Sequence, residues 1–146
     1  QSIYPTIKKN IIQESVNVLR DNQSIFSETG GCHGAASITY DGKLISVFED
    51  IGRHNAVDKV IGSLVKNNLI NKLNKNLKKS ASLLAVSGRL SFEIVQKCAV
   101  ASIPVISSVS APSSLAVDLA HELGITIASF VRDKGFNIYT HKERII

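Results

Sequence analysis

Tryptophan is absent from this 146-residue chain, and aromatic residues make up only 5% of it. A platform for single-stranded nucleic acid needs exposed aromatic faces on which bases stack, so the chain is poorly equipped for that function. Cysteine occurs twice, as Cys32 and Cys98, without CxxC spacing. Zinc sites draw on closely spaced ligands, and Gly31-Cys32-His33 carries no such signature. One cysteine sits in a Gly/His turn and the other in an apolar helical pattern. A disulfide framework is therefore not expected, and a reducing, cytoplasmic setting fits better. No apolar run reaches the ~20 residues needed to cross a bilayer, and no segment reads as a signal peptide. Walker A and GxGxxG patterns are also missing.

What remains is aliphatic. Hydrophobic residues make up 44% of the chain, which argues against disorder. The length suits one domain, 1–146, with a single core, and neither an internal repeat nor a second domain is visible. The net charge of +5 invites a nucleic-acid reading. The excess is local, however. Lys66–Lys79 reads KNNLINKLNKNLKK, with five lysines and no acid. Such a tract is more often a solvated helix end and loop, so neither a nucleic-acid nor a membrane partner is expected.

Periodicity supplies the architecture. Ile7, Ile11, Ile12, Val16 and Leu19 fall at helical spacing and predict a helix over Pro5–Asn22. Ser24–His33 is a polar loop. Ser37–Tyr40 and Leu44–Phe48 flank Asp41-Gly42, a dipeptide suited to a type I′ hairpin turn. Asn55–Leu69 is helical. Beyond it, short apolar runs at Ser82–Val86, Pro104–Val109 and Ile125–Val131 alternate with helices at Phe92–Ala101 and Leu115–Leu123, and Phe136–Thr140 follows as a further strand. Uninterrupted apolar strands alternating with helices indicate a parallel sheet covered on both faces. With the antiparallel hairpin added, the expectation is a three-layer α/β/α sandwich with a mixed sheet.

Ligands of open α/β sheets sit beyond the carboxyl ends of the strands. Four loops of unusual composition leave strand ends here: Glu49–Asn55, Ser87–Arg89, Ser107–Ser114 and Arg132–Gly135. They supply Arg53, Arg89 and Arg132 for oxyanions, Gly88 and Gly135 for close backbone approach, and the hydroxyls of Ser87, Ser110 and Ser113. Three of the four run into helix N-termini, where free amides and the dipole favour phosphate. Together they read as a site for a phosphorylated ligand, a nucleotide. Each piece also has a plainer reading. Asp50 or Asn55 is as readily a helix cap, Ser87-Gly88 an ordinary turn, and the serines around Pro112 simple caps. Arg53 beside His54 is harder to explain structurally. Cys32, after two glycines and before His33, is either a small turn residue or an accessible nucleophile or sulfur carrier. Cys98 lies among Ile94, Val95 and Ala99 and belongs to a core, whereas His121 and His141 read as exposed helix and tail residues. Zinc deamination needs H-x-E with P-C-x-x-C, which His33-Gly34-Ala35 and the absent CxxC do not provide.

Four blocks, Thr29–Ala36 (TGGCHGAA), Glu49–Lys59 (EDIGRHNAVDK), Ser87–Glu93 (SGRLSFE) and Ser108–Val117 (SVSAPSSLAV), resemble the FdhD/NarQ family of formate dehydrogenase accessory sulfurtransferases. The resemblance implies a fold similar to cytidine deaminase. It also implies sulfur transfer from a cysteine desulfurase to the molybdenum or tungsten bis-(molybdopterin guanine dinucleotide) cofactor before that cofactor enters formate dehydrogenase. A GDP-like nucleotide moiety would then be the bound group, with no zinc. The family's cofactor-binding segment maps onto Phe130, Val131, Arg132, Asp133, Lys134 and Gly135. Arg53, His54, Asn55, Ser87, Gly88, Arg89, Ser110 and Ser113 follow as pocket walls, with His54 a candidate to orient or protonate a group near the sulfur. The family's sulfur-carrying cysteine lies in a CxxC upstream of the first block, and this chain has none. The expectation is a C-terminal part of a longer protein, consistent with a start at Gln1; use of Cys32 instead is the alternative. The rival function is a non-catalytic guanine-nucleotide carrier or chaperone. A homodimer is compatible with the apolar helices.

Overall fold

The computed structural model describes residues 5–23, 32–70 and 78–146. The first helix, α1, runs Lys9–Asp21 and buries Ile12, Val16 and Leu19 along one stripe. It starts later than the periodicity predicted. Ile7 is captured by the C-terminal segment as a parallel bridge to Ile145, donating to the Arg144 carbonyl at 2.9 Å, and so leaves the helical pattern.

Two strands follow, β1 (His33–Ile38) and β2 (Leu44–Asp50), then α2 (Arg53–Lys66), β3 (Leu83–Val86), α3 (Phe92–Val100), β4 (Val105–Ser108), α4 (Ser114–Leu123), β5 (Thr126–Arg132) and β6 (Gly135–Thr140). The six strands form one sheet in the order β2-β1-β3-β4-β5-β6. Pairing is parallel for β3–β4–β5 and antiparallel elsewhere. The mixed sheet is the expected one. Residues 24–31 and 71–77, which hold most of the polar loop and the middle of the lysine-rich tract, lie outside the described residues.

The hairpin turn differs from the expected type I′. Only Gly42 has positive φ (+93°), whereas type I′ requires it at Asp41 as well. The Gly42 N–H donates to the Thr39 carbonyl at 3.0 Å, and the Thr39 N–H donates to the Lys43 carbonyl at 2.9 Å. This is a three-residue loop, a type I turn closed by a left-handed glycine. The Lys43 N–H also donates to Thr39 Oγ1 at 2.9 Å, a local bond that favours the longer loop.

Alternating side chains divide the core in two. Leu84 and Val86 pack with α2, α3 and α4 on one face, while Leu83 and Ala85 pack with α1 on the other. The sandwich is therefore lopsided, with three helices against one. Truncating a fully buried position such as Leu84 to Ala costs about 2–5 kcal/mol.

Register determines where the site can lie. His33 pairs with Asp50, and Ala35 with Val86, so the start of β1 and the ends of β2 and β3 share an edge. The parallel strands β4 and β5 end there too.

Candidate functional site

All four loops meet at this edge and are fastened to one another. The Gly34 N–H donates to Ser87 Oγ at 2.9 Å, and the Ser87 N–H donates to the Gly34 carbonyl at 3.1 Å. Ser108 Oγ donates to the Gly88 carbonyl at 2.7 Å and accepts the Ser110 N–H at 3.0 Å. The Leu90 N–H donates to the Ala111 carbonyl at 3.2 Å, and the Ser113 N–H to the Leu90 carbonyl at 2.9 Å. The Ser110 carbonyl accepts the Phe130 N–H at 3.4 Å.

The start of α2 is arranged by Asp50. Its carboxylate accepts from the Gly52 N–H at 3.0 Å and pairs with Lys59 Nζ at 2.8 Å, while Asn55 Nδ2 lies 3.4 Å away. Lys59 is the largest reason the Asp50 carboxyl is held down at about 2, with the Gly52 N–H next. The capping expectation is corrected here: Gly52 is the N-cap and contributes no side-chain bond, while Asp50 and Asn55 brace each other. Two other helices are capped as serine chemistry suggests. Ser91 Oγ accepts the Ile94 N–H and Ser113 Oγ the Ala116 N–H, at 3.4 and 3.1 Å.

The cationic groups divide into committed and free. Nη1 of Arg132 donates to the carbonyls of Val109 at 2.9 Å and Val131 at 2.8 Å. Arg53 and Arg89 have no hydrogen bond or ion pair among the described residues, and Arg89 is exposed. His54 Nε2 is hydrogen-bonded to Ser91 Oγ at 3.0 Å and lies 3.9 Å from Glu93 Oε2. Glu93 has its carboxyl lowered by its own backbone N–H first, then by Ser91, with His54 and Arg53 adding field. Gly88 lies against His33 and Arg53: a Cβ there would be 3.1 Å from His33 Nδ1 and 3.7 Å from Arg53 Cδ.

The Phe130–Gly135 segment is mixed. Phe130 is 40% exposed at this edge, in the left-handed region (φ +54°), where the β5–β6 register breaks. Val131 is buried in the α1-side core, so its side chain offers a ligand nothing. Asp133 is engaged by α1, through Gln13 Nε2 to its carbonyl at 3.2 Å and Asn17 Nδ2 to its carboxylate at 3.4 Å. Lys134 is exposed, and Gly135 (φ +148°) closes the turn.

Cys32, at the same edge, is half-buried and free. Cys98 is 0% exposed, and burial pushes its thiol well above the usual range, as a core residue's should be. His121 is an exposed helix residue, as expected, while the reading of His141 as an exposed tail residue is corrected: it is half-buried. They stack with ring centroids 5.4 Å apart, and His141 Nε2 is bonded to the His121 carbonyl at 2.8 Å. Both lie at the edge opposite the site. Among the described residues no three His, Cys, Asp or Glu side chains gather as metal ligands would. No helix described is long and apolar enough to cross a membrane.

A model of the FdhD/NarQ family matches residues 2–146. This chain belongs to the FdhD/NarQ family. It is 50% identical over 127 residues to a protein of Sulfolobus acidocaldarius named sulfur carrier protein FdhD, covering 87% of this chain and 47% of that one. The chain spans about half the length of the curated relatives it matches. Among solved structures, a protein of Desulfotalea psychrophila described as a formate dehydrogenase accessory protein superposes with TM-score 0.83 at 31% identity, over 97% of this chain and 60% of that one. A guanine deaminase from Nitrosomonas europaea superposes with TM-score 0.59 at 11% identity, over 90% of this chain and 81% of that one, which shows a shared fold and nothing more.

Sequence reasoning on this FdhD/NarQ chain missed three contributors to the edge. Ser108, reached only as part of a loop, holds Gly88 from behind. Glu93 was never singled out, although its place two residues after a capping serine put it beside that helix N-terminus. His33 is read from the sequence only as a neighbour of Cys32, as part of a family block and as a rejected zinc ligand, not as a ligand contact. The pairing of its strand with β2 brings it to the edge, and no local pattern reports that pairing.

Proposed function

We propose that this chain is the client-holding part of a sulfur carrier that serves formate dehydrogenase. The client is a guanine-nucleotide-bearing molybdenum or tungsten pterin cofactor, handled as substrate. The donor set supports this reading. Two uncommitted guanidiniums, three helix N-termini and a side-chain-free Gly88 share one edge, which suits pyrophosphate oxygens. That convergence is the observation that carries the proposal. In it, Arg53 and Arg89 grip the pyrophosphate, and Arg132, with one nitrogen spent on carbonyls, adds charge. Phe130 offers the exposed aromatic surface of the segment. His54 fastens α2 to α3 through Ser91, which would fix its ring for orienting or protonating a group near the sulfur.

In the complete protein, sulfur arrives from a cysteine desulfurase as a cysteine persulfide, and its terminal sulfur passes to the client. This chain has no CxxC, and Cys98 is sealed in the core, so any sulfur it carries itself must ride on Cys32. That restriction favours a second reading of this stretch as a nucleotide-binding module without chemistry of its own. A homodimer belongs to the same proposal, with exposed Val65, Val100 and Leu123 as apolar surface for a second copy.

Calorimetric titration with GDP tests the pocket. Saturable binding, weakened about tenfold by Arg53→Ala or Arg89→Ala, is expected for lost bonds to a charged group. No binding of GDP would remove the pocket. Mass spectrometry after incubation with a desulfurase and cysteine separates the readings: a persulfide on Cys32 makes the chain a carrier, and an unmodified Cys32 leaves it a module.

A further inference from the structure

We propose that His33 is a direct contact for the anionic part of the ligand, a specificity-determining side chain at the start of β1 on that edge. The assignment rests on the nucleotide reading above and deepens it. Strand alternation puts His33 on the same face as Ala35, which packs with α2, α3 and α4. On that face it meets the two features best suited to an oxyanion. Its Nδ1 would lie 3.1 Å from a Cβ at Gly88, and Arg53 Cδ lies 3.7 Å from the same point. The Gly88 backbone cannot retreat, because Ser108 Oγ holds its carbonyl at 2.7 Å. Imidazole, glycine and arginine therefore border one small space.

The ring is also uncommitted. Neither nitrogen of His33 has a hydrogen-bond partner among the described residues, and the side chain is only half-buried. The other three histidines are spent: His54 on Ser91, His141 on the His121 carbonyl, and His121 in a stack with His141 at the opposite edge. An N–H donor bordering the same space as the stem of Arg53, whose guanidinium has no partner among the described residues, suits a phosphate oxygen, and a diphosphate could engage both side chains. His33 thereby selects for a nucleoside diphosphate over a neutral nucleoside.

The probes are GDP and guanosine, added to the chain while the imidazole Cε1–H resonances of the four histidines are followed by NMR. The His33 resonance should shift and saturate with GDP but stay in place with guanosine, while His121 and His141 do not move. His33→Ala should weaken GDP about tenfold, the loss expected for a bond to a charged group, and His33→Gln, which keeps an N–H donor, should recover most of it. Gly88→Ala should reproduce the loss by displacing the ring, and unchanged thermal melting of the variants would separate contact from folding. GDP binding that leaves His33 unmoved and survives His33→Ala overturns this assignment alone. The absence of any saturable GDP binding overturns the nucleotide site and this assignment with it.

Discussion

The two edges of the sheet differ in how far they use up their basic side chains. At the edge away from the candidate site, Nη1 of Arg144 donates to the carbonyls of Pro104 and Gly124 and to Thr126 Oγ1, at 3.2, 2.7 and 3.0 Å. His141 likewise uses one nitrogen on the His121 carbonyl and the other on Glu143. At the site edge Arg132 and Lys59 are committed in the same way, but the loops are also tied by serines and backbone groups, and Arg53, Arg89 and His33 are left over. Charge consumed by carbonyls is structural. Charge left unconsumed where helix N-termini converge is available to a ligand.

The contrast is sharpest in stability. Arg144→Ala should lower unfolding free energy by about 3 kcal/mol, because it strands carbonyls that are poorly placed to find water. Arg89→Ala should stay within about 0.5 kcal/mol of the parent. Urea denaturation compares them, and equal losses would erase the distinction between the edges. A smaller effect separates capping from ligand contact at Ser113. Ser113→Ala should cost about 1 kcal/mol through the lost cap while leaving GDP affinity close to the parent's. A large affinity loss there would make Ser113 a pocket wall as well as a cap.

The smallest effect is electrostatic. Asp50 titrates lower in the fold, at about 2, than its ordinary value of 3.8. A depressed carboxyl stabilises the fold above its unfolded value, and that stability is lost as pH falls from about 4 to 2. Thermal melting across that window should fall less steeply in Asp50→Asn than in the parent. Parallel curves would mean that Asp50 is not the group bracing α2.

Much of the fold was legible because it rests on local patterns. The buried strands around Leu83–Val86 and Val105–Ser108 read as apolar runs, and α1 showed its stripe. Serine capping of α3 and α4 was equally readable, since a cap is settled within a few residues. What escaped depends on distant segments. The start of α1 moved because Ile7 pairs with Ile145, and His141 ceased to be a tail because its ring reaches the His121 carbonyl. At the site, the sequence named the loops but not the division of labour within them. Arg132 and Val131 could not be told from free residues until the Val109 carbonyl and the α1-side core were seen against them. His33 is the mirror case, a residue with no ligand role in the sequence reading that pairing with Asp50 carries to the edge.

Backbone amide mapping by NMR during GDP titration tests the difference between the edges most directly. Shifts should saturate together at residues 32–34, 52–55, 87–91, 108–114 and 130–135, and leave 39–43, 101–104, 124 and 141–146 in place. Shifts centred on the opposite edge, or none at saturating GDP, would contradict the account.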